Sequence, residues 1–317
     1  MSKLYCIVIA AGKGTRMQSE HSKLVQKIYD KEMVKRVVET AVSLKADKII
    51  GVVGYKKEEV QNALKGINVD FAIQEEQLGT GHAVMQAIPF IDEPGKVVIL
   101  YGDVPLLRKE TISNLINSYE ESNSVVSIMT AEFKNPTGYG RILRDSFGNI
   151  FDIREEKDCS EEERKITEIN AGIYCFDSEK LKYALTKITN ENSQNEYYLT
   201  DTIKVLADNN DDINTYKIYD NTELLGVNDR VQLEIVTNLY KSRIDLEHMK
   251  NGVTIEDVRT TYIEDNVQIG KDTVIKPGTV IKKGTIIGEN CHIGYNVYIK
   301  ENSKIKDKTV IKDNSKI

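Results

Sequence analysis

The sequence lacks most of what would classify it quickly. No stretch approaches the roughly 18 uninterrupted apolar residues that a membrane-spanning helix needs, so no membrane partner is expected. No secretory leader is visible: the apolar run Leu4 to Ala11 is short and leads straight into a loop. Cysteine is sparse. Cys6, Cys159, Cys175 and Cys291 include no C-x-x-C spacing, which argues against a zinc site or redox motif and for reduced, mostly buried thiols in a cytoplasmic protein. A basic excess is missing too. The net charge of -6 speaks against a nucleic-acid partner, although a few local lysines and arginines suffice for a phosphate-bearing small ligand. Finally, the glycine loop in "IVIAAGKGTRM", Ile7 to Met17, is neither G-x-x-x-x-G-K-[ST] nor G-x-G-x-x-G.

What is present falls into two organisations, and 317 residues leave room for both. Up to about residue 250, short apolar runs ("LYCIVIA", "KIIGVVG", "VDFAI", "KVVILYGD") read as strands. Between them, "KEMVKRVVETAVSL" places Met33, Val34, Val37, Val38, Ala41 and Val42 on one helical face; "EEVQNALKG" and "GTGHAVMQAI" also read as helices. Strand, helix, strand in repetition predicts an α/β domain with a mostly parallel sheet, whose ligands sit at the carboxyl ends of the strands. The long segment "DRVQLEIVTNLYKSRIDLEHM" closes this domain as a linker helix, giving expected domains 1–250 and 251–317.

From Ile263 an isoleucine recurs at every sixth residue through Ile269, Ile275, Ile281, Ile287, Ile293, Ile299, Ile305 and Ile311 to Ile317. That period predicts a short left-handed parallel β-helix of about three coils, with isoleucines stacked inside and the residues between them facing out. A scaffolding or trimerising role and an acyltransferase role are both readings of such a repeat. The stack ends on an isoleucine without a polar cap, from which a covering neighbour subunit or a truncated form is expected.

The Gly-Lys-Gly turn lets backbone N–H groups approach a triphosphate, Arg16 offers a planar fork to phosphate oxygens, and Lys13 and Lys23 add point charges. The motifs "AAGKGTRM" with "SKL", "QEEQLGTGHA", "YGDVP", "PTGYGRI", "EINAGIY", "NEYYLTD" and "GVNDR" follow in that order. From about residue 4 to residue 250 they resemble the uridylyltransferase half of the bifunctional UDP-N-acetylglucosamine pyrophosphorylase / glucosamine-1-phosphate N-acetyltransferase family, and the resemblance continues into the repeat.

The resemblance implies a Rossmann-like nucleotidyltransferase domain that uses Mg²⁺ to transfer UMP from UTP to N-acetylglucosamine 1-phosphate, with trimerisation through the β-helix. It implies that Ile9, Ala10, Ala11 and Gly12 run along base and ribose, with Arg16 and Lys23 facing the phosphates as the catalytic cations. Gln74, Gly79 and Thr80 then read the uracil edge. Asp103 holds the metal with Asn228, Tyr101 and Gly102 before it bind substrate, and Gly140, Glu155, Asn170 and Thr200 line the sugar-phosphate pocket. Other sugar-1-phosphate nucleotidyltransferases, and a non-catalytic assembly subunit, are the alternative readings.

Blander roles stand beside these. Asn228 reads equally as the N-cap of the long helix. Of the adjacent Glu155 and Glu156 only one can face a pocket, one of Tyr197 and Tyr198 is a core aromatic, and His82 is structural. Three departures bear on the expectation: Ser22 stands where many members of the family have Pro, loosening Lys23, and Ala171 and Asn195 stand near the sugar pocket where Thr and Gly are usual. The family's second active site lies in later coils with its own histidine; the tail here holds only His292, so no acetyl transfer is expected.

Overall fold

A computed structural model describes residues 2–317, which group into two compact units: residues 2–27 with 31–232, and residues 28–30 with 233–317. The helix expected to close a 1–250 domain therefore contributes only its first turn to the first unit.

The first unit is built on a nine-stranded sheet. In chain order its elements are β1 (Lys3–Ala10), α1 (Met33–Ser43), β2 (Lys48–Val53), α2 (Lys57–Ala63), β3 (Asp70–Ile73), α3 (Thr80–Ala87), β4 (Gly95–Tyr101) and α4 (Lys109–Ser122). β5 (Val126–Glu132), β6 (Arg141–Arg144), β7 (Ile150–Arg154), β8 (Glu168–Asp177), α5 (Ser178–Leu185), α6 (Asp201–Asp208) and β9 (Ile213–Ile218) follow, and α7 (Arg230–Lys250) starts here but belongs to the second unit from Leu233 onward. The spatial order is β9-β5-β8-β4-β1-β2-β3, with β6 joined to β8 and β7. β4, β1, β2 and β3 are mutually parallel, whereas β8 runs antiparallel between β5 and β4. The central strand β1 is covered on both faces, which is why Cys6, Ile7 and Val8 form an unbroken buried run.

On α1 the expected stripe is buried except for Val42, which sits at the stripe's edge and is exposed. Two glycines are required by geometry. Gly79, at φ 112°, precedes α3 so closely against the Tyr197 carbonyl that a Cβ would fall 2.5 Å from it. At Gly172, φ 76°, the β8–β5 register slips between Asn170 and Tyr174, and this bulge turns residues 171–172 out of the ladder. Asn195 also adopts a left-handed backbone, φ 53°. Asparagine tolerates that region, so the turn is kept where the resemblance leads one to expect Gly.

The second unit's repeat forms three parallel sheets of two-residue strands. Ile275, Ile293 and Ile311 stack in one sheet, Ile263, Ile281 and Ile299 in the second, and Ile269, Ile287 and Ile305 in the third. The expectation that everything between the isoleucines faces out is corrected. Thr261, Val267, Thr273, Thr279, Thr285, Cys291 and Val297, each two residues before an isoleucine, are buried as well. In extended backbone, i and i−2 share a face. Three of the four threonine hydroxyls donate to a carbonyl of the next coil, Thr273 to Gly288 at 2.8 Å, Thr279 to Gly294 at 3.0 Å and Thr285 to Lys300 at 3.0 Å, while the buried Thr261 hydroxyl has no partner. A second six-residue period marks the corners, where Asn266, Asp272, Gly278, Gly284, Asn290, Asn296, Asn302, Lys308 and Asn314 all take positive φ. His292 faces outward on its strand.

Candidate active site

At the carboxyl ends of β1 and β4 the sheet opens into a cleft of about 550 Å³. The β1 loop supplies one wall. Its backbone leaves the strand at Ala10, turns through Gly14 at φ 59°, and is anchored by the buried Met17, which leaves Arg16 at the cleft and Lys13 exposed. Gly14 packs so tightly on Lys23 that a Cβ there would meet the lysine stem at 2.9 Å. Lys23 is thereby led inward, only 9% exposed. Its ammonium lies 2.5 Å from Asp103 Oδ2 and 3.0 Å from Asn228 Oδ1.

Ser22 does not loosen that lysine. It is fully buried, its N–H donates to Glu59 Oε2 at 2.8 Å, and its hydroxyl accepts from the Leu24 N–H. Proline has no N–H with which to make the Glu59 bond.

Asp103 lies just beyond β4, where Gly102 N–H donates to the Ile9 carbonyl and ties the two strand ends together. The Asp103 carbonyl in turn accepts from Val227 N–H at 2.9 Å, which brings Asn228 alongside. Asn228 is not the cap of α7. Asp229 Oδ1 accepts the Gln232 N–H at 2.8 Å in that role, and the Gln232 side chain accepts the Asn228 N–H. The Asn228 amide is left to face the cation.

The other wall comes from residues Thr137–Gly140, Glu155, the β8 bulge at Asn170–Gly172, and Thr200. Glu155 accepts from the Thr200 hydroxyl at 3.0 Å, while Glu156 turns away to Arg141, so one of the pair faces the cleft. Burial, reinforced by the charges of Asp158 and Glu196, pushes the Glu155 carboxyl above its usual range; the Thr200 hydroxyl opposes this. Just behind, burial and the charges of Asp152, Glu155 and Asp158 push Asp201 up to about 6. Asn170 is 7% exposed and its side chain spans the bulge, donating to Tyr174 Oη at 2.7 Å and accepting the Gly172 N–H at 3.0 Å.

The cleft thus collects Arg16, Thr80, Tyr101, Asp103, Gly140, Glu155, Asn170, Thr200 and Asn228, with Lys23 bonded into it. Ile9, Ala10, Ala11, Gly12, Gln74, Gly79 and Gly102 are not in its lining. Gln74 is buried, and its amide nitrogen is engaged with the Gly79 carbonyl at 3.0 Å and His82 Nδ1 at 3.1 Å, so both N–H groups serve the turn before α3. His82 is a structural partner in that arrangement. Tyr198 is buried and Tyr197 packs half-buried at the edge of the core. Thr137, Gly138, Tyr139, Ala171, Gly172, Leu224, Gly226 and Gln232 also line the cleft. Most of them lie inside or beside "PTGYG", "EINAGIY" and "GVNDR", whose order was the signal.

A second cavity, about 680 Å³, opens beside β3, but Glu39, Asp47 and Lys48 in its wall are already paired, with Lys31, Lys3 and Asp92. Among the described residues no three His, Cys, Asp or Glu side chains gather as a metal cage. In the cleft, Asp103 and Asn228 converge their oxygens on one cation, the Lys23 ammonium. A carboxylate and an amide oxygen suit a hard divalent ion that keeps waters and takes its remaining ligands from a substrate.

A doubly wound sheet with a basic glycine loop, and a carboxylate–amide pair at its ligand edge, defines a nucleotide-handling transferase domain. Residues 6–166 match the MobA-like NTP transferase domain, and the chain belongs to that family. Residues 260–294 match the bacterial transferase hexapeptide (six repeats). The chain is 48% identical over 279 residues to the bifunctional protein GlmU of Brevibacillus brevis, covering 88% of this chain and 60% of that protein. It is likewise 48% identical to GlmU of Geobacillus sp. strain WCH70, covering 88% of this chain and 61% of that one. It therefore spans about three-fifths of the length of these relatives. The fold is also that of a UDP-glucose pyrophosphorylase crystallised with UDP-glucose: TM-score 0.60 at 19% identity, over 77% of this chain and 100% of that one. No helix among the described residues is long and apolar enough to cross a membrane, and all four cysteines are free and buried.

Proposed function

We propose that this protein transfers UMP from UTP to N-acetylglucosamine 1-phosphate, forming UDP-N-acetylglucosamine and releasing pyrophosphate. The observation that carries the reading is the convergence of Asp103 and Asn228 on one cation position beside Lys23 and Arg16. A sugar 1-phosphate oxygen is already anionic when it attacks the α-phosphorus of UTP in line, so no serine, cysteine or general base is needed. The reaction needs charge neutralisation and a fixed approach. Asp103 and Asn228 would hold Mg²⁺, which supplies neutralisation of phosphate charge when bound. Lys23, beside that position, would face the phosphates, and Arg16, which lines the cleft, would take up charge on the leaving pyrophosphate. The wall of Glu155, Thr200 and Gly140 receives the sugar.

The repeat unit is proposed to assemble the chain as a trimer, with Tyr262, Ile286, Tyr298 and Val310 on its outer faces. Light scattering that returns a monomer mass removes that role. The setting is the cytoplasm, where the buried thiols stay reduced.

The test is pyrophosphate release by purified protein over a panel of nucleoside triphosphates and sugar 1-phosphates with Mg²⁺. UTP with N-acetylglucosamine 1-phosphate is expected to lead. A different leading pair makes the protein another sugar nucleotidyltransferase, and no release with any pair makes it a non-catalytic subunit.

A further inference from the structure

Arg141 is among the most buried large side chains of the protein, 1% exposed, and it is charged. A buried guanidinium is not a cheap way to hold a fold together, since well-packed apolar residues of the same volume often do as well. Its Nε has no partner, so even its own hydrogen bonding is incomplete. What its remaining nitrogens do is specific. Nη1 donates to the Tyr139 carbonyl, and Nη2 donates to Glu156 Oε2 at 2.6 Å. The same Glu156 oxygen accepts the Gly138 N–H at 3.2 Å, and Arg164 flanks Glu156 Oε1 at 3.7 Å. Two peptide groups of the Thr137–Gly140 turn, 137–138 and 139–140, are thus tied to one ion pair whose arginine is buried.

The turn's own ties are short-range: Asn135 Oδ1 accepts from the Thr137 N–H at 3.3 Å and hydroxyl at 2.7 Å, the Tyr139 N–H donates to the Pro136 carbonyl at 3.1 Å, and the Tyr139 ring packs on Phe133 at 5.0 Å. Gly138 sits at φ 89° with open space around it. The turn is also one wall of the cleft, opposite the β1 loop that carries Arg16, and Gly140 accepts the Asn170 N–H at 2.9 Å, joining it to the β8 bulge. The pair lies behind the wall: neither Arg141 nor Glu156 is among the cleft-lining residues.

We propose that Arg141, through Glu156, is a positioning residue for the Thr137–Gly140 turn and so sets affinity for the sugar phosphate without touching it. The identity of that substrate rests on the function proposed above; the clamp itself does not. Because the guanidinium fork reaches two acceptors at once, lysine replaces it only in part.

The experiment uses the full chain with three variants: Arg141→Lys, Glu156→Gln, and the double Arg141→Met/Glu156→Met, which removes both charges while keeping volume and so preserves folding. KM is measured for each substrate by pyrophosphate release, UTP affinity by calorimetry, and hydrogen exchange is followed across residues 137–140. The double variant is expected to raise KM for N-acetylglucosamine 1-phosphate at least about tenfold, leave UTP affinity within about twofold, and speed exchange in the turn. Arg141→Lys and Glu156→Gln should fall between it and the parent. A rise in both KM values together, or unchanged KM values with unchanged exchange, overturns the proposal. Should the parent protein itself release no pyrophosphate, the proposed function falls. The clamp is then decided by exchange alone, faster in the double variant supporting it and unchanged overturning it.

Discussion

The two units reach order by opposite routes. In the repeat each isoleucine meets its counterpart one coil away, so a six-residue period suffices to place every inward side chain. In the first unit Lys23 meets Asp103 across 80 residues of chain and Asn228 across 205. A repeat spreads its stability over near-identical neighbour contacts, while the cleft concentrates function in a few contacts that only the whole sheet can bring together. Damage should therefore be graded in one unit and abrupt in the other.

The sharpest break is at the cation position. Asp103→Asn keeps an oxygen beside Lys23 but removes the charge, and metal-dependent turnover should fall by about 10²–10³ with the thermal midpoint little changed. Pyrophosphate release and calorimetry read both; unaltered turnover removes Asp103 from the site.

Next is the repeat. Ile293 is fully buried in its stack, and Ile293→Ala should cost about 2–5 kcal/mol. The loss should appear in urea as an early transition of the repeat unit, with the first unit's transition still in place. A single merged transition would deny that the units respond separately.

Gly14→Ala tests the link between loop and lysine. The left-handed backbone alone costs about 1–2 kcal/mol, and the new Cβ collides with the Lys23 stem. Turnover is expected to drop about tenfold, because Lys23 must move. Parent-like kinetics would show that the loop relaxes without disturbing it.

The smallest effect expected is electrostatic. Asp201, raised to about 6 first by burial and then by Asp152, Glu155 and Asp158, favours its protonated form in the folded state. Its stabilising contribution is complete below about pH 3.8 and is lost as pH rises through about 6. Asp201→Asn should thus be more stable than the parent at pH 7, by about 1 kcal/mol once solvent screening of this partly exposed group is allowed for. The advantage should vanish near pH 3.5, and an equal gain at both pH values would trace it to packing instead.

The misread positions share one cause. Thr273, Thr279 and Thr285 are polar in sequence but inward in the coil, where their hydroxyls find carbonyls in the next coil. Asn228 looks like a cap until Asp229 is seen to take that bond. Ser22 looks like a weakened restraint until Glu59 is seen to accept its N–H. Each error concerns who bonds with whom, which periodicity does not carry.

The first four strands with their helices, the β1 loop with its cations, and the isoleucine stack follow from the sequence by itself, since each is written in local pattern: apolar runs, helical spacing, a six-residue period. The meeting of Lys23, Asp103 and Asn228, the tie of Arg141 and Glu156 behind the turn, and the inward threonines were decided only by the tertiary structure. They depend on hydrogen bonds between residues distant in the chain, whose partners exist only once the sheet and the coils have closed.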